Sequence, residues 1–72
     1  MFDYSKLNGR IKEVYKKQAV FAAAIGLSER TLSLKLNNKR WWTQLEIHNS
    51  CNALGINYVD IPLYFFAQEV QD

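Results

Sequence analysis

Between Gly26 and Asn38 the chain reads GLSERTLSLKLNN, in which charged, hydroxyl and amide side chains recur around spaced leucines. A helix turns about 100° per residue. With Leu32 set inward, Arg30 falls about 160° from it, Ser33 about 100°, Leu34 about 200° and Asn37 about 140°, so all four face away from the core. Glu29 lies on the flank. An arginine so placed can donate two hydrogen bonds to guanine, serine and asparagine can meet base edges or phosphates, and leucine can touch a thymine methyl. Glu29 changes the balance. A carboxylate accepts from cytosine N4, but the phosphates on either side repel it. An acid, an arginine, small polar groups and an aliphatic chain also suit an interface centre with a polar rim, which makes a protein the better-matched ligand.

Other reactive side chains are sparse. His48 has no second histidine and no cysteine at ligand spacing, and it reads as a surface residue. Cys51 is the single cysteine, so no intrachain disulfide can form; it falls on an apolar stripe and reads as a small buried hydrophobe in a reducing cytosol. Spacing supports no nucleophile–base pair, glycine-rich phosphate loop or metal cluster. The expectation is a binding protein, not an enzyme, with no cofactor, metal or small-molecule substrate. Trp41 and Trp42, beside Lys39 and Arg40, could stack on bases or cations. The plainer expectation makes one of them a lid between the third and fourth helices and leaves the other exposed at a contact.

Five short helices must position these groups, and the expected fold class is all-α, with no convincing strand. Asp3 or Ser5 can cap a first helix carrying Leu7, Ile11 and Val14 or Tyr15 at helical spacing. Gly9 weakens it by about 1 kcal/mol relative to alanine, so packing must hold it. Lys16-Lys17 marks a junction. In QAVFAAAIG, Phe21 and Ile25 share a face, the alanines allow close approach, and Gly26 stops the helix. Ser28 caps the third helix, whose inward pair is Leu32 and Leu36. NNKRWW is a connector. Thr43-Gln44-Leu45-Glu46 is a capping box, and Ile47, Cys51 and Leu54 stripe a fourth helix that ends at Gly55. Pro62 suits the first turn of a last helix from Leu63 to about Ala67. The tail leaves two expectations open: Leu63 and Phe66 in the core, or a dimer or partner contact through Tyr64 and Phe65.

At 72 residues with 49% hydrophobic side chains, the chain is one small domain, 1–72, with material for a core. No apolar run approaches the ~20 residues of a membrane span, and the opening residues do not read as a signal peptide. Charge is segregated. All nine Lys and Arg lie between Lys6 and Arg40, so residues 1–40 carry +6 and residues 41–72, with four acids and no base, carry −4. The first half favours polyanions and the second is repelled by them. Lys12, Lys16 and Lys17 read most simply as a solvated face.

Ala22 at a helix crossing, Gly26 in the turn, Leu27 beneath it and inward Leu32 together carry a helix-turn-helix signal. Residues 18–38 resemble the helix-turn-helix of the Cro/CI family of phage repressors, and residues 1–66 match its five-helix frame. MFDYSKL, GLSERTLSLKLN and a final YFF are similar to small regulators of temperate phages of Gram-positive bacteria. The resemblance implies a lambda-repressor-like bundle in the bacterial cytoplasm and a role in the lysis/lysogeny switch. It places Gln18 where the family binds a phosphate, Ser28, Glu29, Arg30 and Ser33 where it meets base edges or phosphates, and Asn37, Lys39 and Arg40 beside the DNA backbone. Two departures stand out. Lys35 replaces a usually apolar residue, with Leu36 expected to supply the inward contact, and Glu29 stands where a neutral donor is common. Taken with the exposed face, this leads to an antirepressor that binds a CI-type phage repressor through Gln18, Ser28, Glu29, Arg30, Ser33, Leu34, Asn37 and Lys39. The alternative is a Cro-like dimer that binds operator DNA directly.

Overall fold

Leu7 and Ile11, one turn apart and fully buried, give α1 (Ser5–Tyr15) its inward face. Tyr15 continues that face: its ring lies 5.5 Å from Phe21 and its hydroxyl donates to the Ala53 carbonyl at 3.2 Å, whereas Val14 is exposed. Neither expected cap acts as one. Tyr4 occupies the N-cap, while the Asp3 carboxylate accepts from the Ser5 amide at 2.9 Å in a turn just ahead of the helix. In this computed structural model, residues 1–70 are described; Asp72, one of the four acids of the second half, lies outside the described residues.

The Lys16-Lys17 junction is a tight turn. Lys16 has φ 71° and ψ −43°, and the Lys17 amide donates to the Tyr15 carbonyl at 2.8 Å, the i to i+2 bond of a γ-turn. This reversal lays α2 (Gln18–Ala24) across α1. Residues 25–28 then turn into α3 (Glu29–Leu36), with Gly26 at φ 78° and the Leu27 amide bonded to the Ala22 carbonyl at 2.8 Å. Ala22 and Leu32 have no exposed surface, so the close crossing needs alanine on one side and leucine on the other. Each fully buried leucine or phenylalanine stabilises the fold by about 1.5–3 kcal/mol.

α4 (Gln44–Leu54) opens with the capping box that its sequence specifies and closes on Gly55 at φ 66°. Cys51 and Leu54 are buried and Ile47 packs beside them, with Ser50 also enclosed, its hydroxyl returned to the Glu46 carbonyl at 2.7 Å. A 3-10 turn, Tyr58–Asp60, leads into α5 (Ile61–Phe65). Here the structure corrects the sequence reading. The helix begins two residues earlier than expected, so Ile61, Tyr64 and Phe65 turn to the core, with Phe65 2% exposed, while Leu63 and Phe66 are 53% and 50% exposed. The Tyr64–Phe65 contact expected on the surface is therefore not available.

The architecture is all-α, five helices around one core, with the only bridge among the described residues joining Phe2 to Gln68. That bridge, with Asp3 amide to Ala67 carbonyl at 2.7 Å, lays the two ends of the described chain side by side. No helix among the described residues is long and apolar enough to cross a membrane.

Candidate recognition surface on the third helix

Ser28 starts α3 by accepting from the Thr31 amide at 3.1 Å, and its own hydroxyl donates to Thr31 Oγ1 at 2.9 Å. Ser28 is thus an N-cap first. Glu29, in the first turn, also lies where a negative charge favours the helix dipole. The end of α3 is a Schellman turn: Asn38 amide to Lys35 carbonyl at 3.3 Å and Lys39 amide to Leu34 carbonyl at 2.8 Å, with Asn38 left-handed at φ 61°. The Asn38 side chain then accepts from the Phe2 amide at 3.0 Å and donates to the Phe2 carbonyl at 2.9 Å. One asparagine both ends the helix and clamps the N-terminal segment to it.

Lys35 explains its own departure from an apolar residue. It is 5% exposed, and its ammonium donates to the Trp41 carbonyl at 2.8 Å and to Glu46 Oε1 at 2.9 Å. The same carboxylate oxygen accepts from the Thr43 amide at 2.9 Å. Burial pushes the Glu46 carboxyl up, but the Thr43 amide together with the hydrogen bond and charge of Lys35 outweigh it, and Glu46 sits below its usual value. The pair fastens the last turn of α3 to the first turn of α4. Leu36 packs against the core as expected, yet Lys35 is the more deeply enclosed of the two.

The eight sequence-predicted residues divide by what already holds them. Gln18 donates to Asn8 Oδ1 at 3.0 Å, a link between α2 and α1. Asn37 donates to the Ser33 carbonyl at 2.8 Å, with the Ser33 hydroxyl at 3.4 Å. Leu34 is half-buried; the Schellman turn folds the chain back beside it. Glu29, Arg30 and Lys39 are exposed, and among the described residues they form no salt bridge. Arg40 and Trp41 continue the exposed edge. Trp42 is the tryptophan that covers the core, stacking edge-on against Phe65 at 5.1 Å and leaning on Tyr4, so it also joins α5 to the N-terminal segment.

A recess of about 370 Å³ lies beside this face, lined by Asp3, Asn8, Gln18, Asn37, Asn38 and Glu69 among others. Gln18 and Asn37 are two of the residues read as DNA-backbone contacts, and Asp3 and Glu69 line the same recess. Hydrogen bonds from Ser5 hold the Asp3 carboxyl below its usual value. Sequence reasoning missed Asp3 and Glu69 because they arrive through the pairing of the chain ends. It missed the buried role of Lys35 because its partner lies across a loop. For Asn38 a signal existed: an asparagine just past a helix end often takes the left-handed conformation. Among the described residues no three His, Cys, Asp or Glu side chains converge as a metal site would require.

Residues 1–68 match a family described as protein of unknown function, DUF739. No curated protein matches the chain. Among solved structures, the chain is similar to the modulator of repression (MOR) of the temperate bacteriophage TP901-1 from Lactococcus lactis, whose solution structure has 50% sequence identity. That likeness has a TM-score of 0.81 and covers 97% of this chain and 95% of the other. With the family match spanning almost all of the described residues, the chain belongs to the DUF739 family.

Proposed function

We propose that the protein is an antirepressor of a temperate-phage genetic switch, which binds the DNA-binding domain of a CI-type repressor through α3 and so lowers operator occupancy. In this reading α2, the turn and α3 form a helix-turn-helix of the Cro/CI kind turned toward a protein, acting in the cytoplasm by binding and not by catalysis. The observation that carries it is Glu29, an exposed carboxylate on α3 where a DNA reader needs positive potential, with the acidic residues Asp3 and Glu69 among those lining the recess shared by Gln18 and Asn37. A carboxylate there repels a phosphate and attracts the Lys and Arg of a DNA-binding surface. The likeness to a phage modulator of repression supports the same reading.

The test is a gel shift of phage promoter DNA with its repressor, titrated with this protein. Release of the DNA is expected, and Glu29→Lys should weaken the effect about tenfold, the loss of one well-placed charge pair. An unchanged Glu29→Lys variant would refute the assignment of α3. The second reading, direct operator binding, draws on exposed Arg30, Lys39 and Arg40. It predicts that the protein alone shifts the DNA, with affinity falling steeply as salt rises.

A further inference from the structure

Just beyond α3, Trp41 is the most exposed aromatic side chain among the described residues, at 68%. The segment that carries it is nevertheless fixed. The Trp41 carbonyl accepts from the buried Lys35 ammonium at 2.8 Å, and that ammonium is also paired with Glu46. The indole meets the Phe2 ring edge-on at 5.9 Å, and the Phe2 backbone is gripped by Asn38, the residue that ends α3. Phe66, also exposed, packs edge-on against the same Phe2 ring at 5.8 Å. Single exposed apolar side chains are ordinary, but adjoining ones mark an interaction surface. A tryptophan has only two side-chain torsions, so one already held by its backbone and a neighbouring ring loses little freedom when a partner covers it.

α3 by itself falls short of an interface. Its eight residues extend about 12 Å, whereas a stable protein–protein contact buries ~800 Å² on each side, a patch roughly 25 Å across. The exposed face of α3 offers the charges of Glu29 and Arg30, while Leu34 is half-buried and the Ser28 and Asn37 side chains are already bonded within the helix. Exposed charges contribute little affinity; most comes from a few buried anchors, tryptophan prominent among them. A footprint of that size laid on α3 overruns its C-terminal end, where Trp41 is bonded to the last turn. We propose that Trp41 is the apolar anchor of the α3 interface, entering a pocket of the repressor's DNA-binding domain with Lys39 and Arg40 at the edge of that pocket. This rests on the antirepressor reading and adds to it the side chain on which affinity depends most. Nucleic acid fits the ring less well. A duplex keeps its base faces covered, and a single strand needs a continuous positive track, whereas the recess that Phe2 and Asn38 line is also lined by Asp3 and Glu69.

The experiment labels the full chain with 5-fluorotryptophan and follows its two fluorine resonances as the unlabelled repressor domain is added. Trp42→Phe assigns them: the Trp42 indole nitrogen is buried without a hydrogen-bond partner, so the substitution forfeits no bond. In the unbound protein the Trp41 resonance should shift on exchange of water for heavy water, and the half-buried Trp42 resonance less. The expected result is that binding removes the solvent shift of Trp41, and that Trp41→Ala weakens the complex about thirtyfold while the Trp42 resonance stays native. A complex in which Trp41 remains open to solvent, or which Trp41→Ala leaves undiminished, overturns the proposal and leaves α3 as the contact. Absence of any complex overturns it together with the antirepressor reading. Loss of the Trp41 solvent shift in concentrated protein alone, or on adding a single-stranded oligonucleotide, overturns it in favour of a second copy or of base stacking.

Discussion

Both ends of α3 are held by directed polar contacts, with Leu32 buried between them, whereas α5 is held by aromatic rings and left apolar on its outer side. The third helix has a serine cap, a Schellman turn, an asparagine clamp and a buried ion pair, each with one geometry that satisfies it. The fifth has five residues, no side-chain cap, and Phe65 lodged against Trp42. Directed bonds fix a helix in rotation and height, as the proposed use of α3 to present Glu29 and Arg30 requires. Stacked rings tolerate small shifts, so α5 is fixed less tightly in rotation than α3.

The ion pair offers the largest break in that comparison. Lys35→Ala leaves Glu46 enclosed without its counter-ion and should destabilise the protein by about 3–5 kcal/mol, whereas Lys35→Met, which fills the space, should lose far less; urea unfolding measures both. pH reads the same pair from the other side. The folded Glu46 carboxyl lies below its usual value, so its contribution is present above the ordinary carboxylate range and is lost as pH falls through the depressed value. The stability of Lys35→Met should therefore depend less on pH in that acidic window.

Asn38 comes next. Asn38→Ala loses both the left-handed preference and the two bonds to Phe2, with about 2 kcal/mol expected, whereas Asn38→Gly keeps the turn and should lose about half as much. Thermal melts of the two variants separate the helix stop from the clamp; equal losses would show that the turn conformation contributes nothing. The smallest effect belongs to the other region. Leu63→Ser on the outer side of α5 should change stability by no more than about 0.5 kcal/mol, and a larger loss would mean that α5 is held from both sides.

What the sequence discloses follows the same division. Gly26, the Ser28 cap and the Thr43–Glu46 capping box are legible because each depends on neighbours within four residues. Leu7, Ile11, Phe21, Leu32, Cys51 and Leu54 are legible because their helices carry a consistent apolar phase. α5 is not, because five residues hold little more than one turn: starting it at Leu63 instead of Ile61 rotates the inward face from Phe65 to Phe66. Of the eight candidate residues, Gln18 opens α2 and the other seven lie on α3 or next to its ends, yet their availability could not be read. Whether Gln18 is free depends on Asn8 in another helix, and the acids that line the same recess, Asp3 and Glu69, come from opposite ends of the described chain.

Cys51 has a use that its chemistry in the folded state does not suggest. It is the single thiol of the chain, 2% exposed, and burial pushes its ionisation above the ordinary range, so the native protein offers almost no thiolate to an alkylating reagent. Labelling must wait for α4 to come away from the core. Where reclosing outpaces labelling, the alkylation rate divided by that of an unfolded peptide gives the fraction of molecules open at any moment. Each molecule thus carries a built-in clock for its own opening, readable by mass without denaturant, and a bound partner would slow it only in proportion to the opening it suppresses.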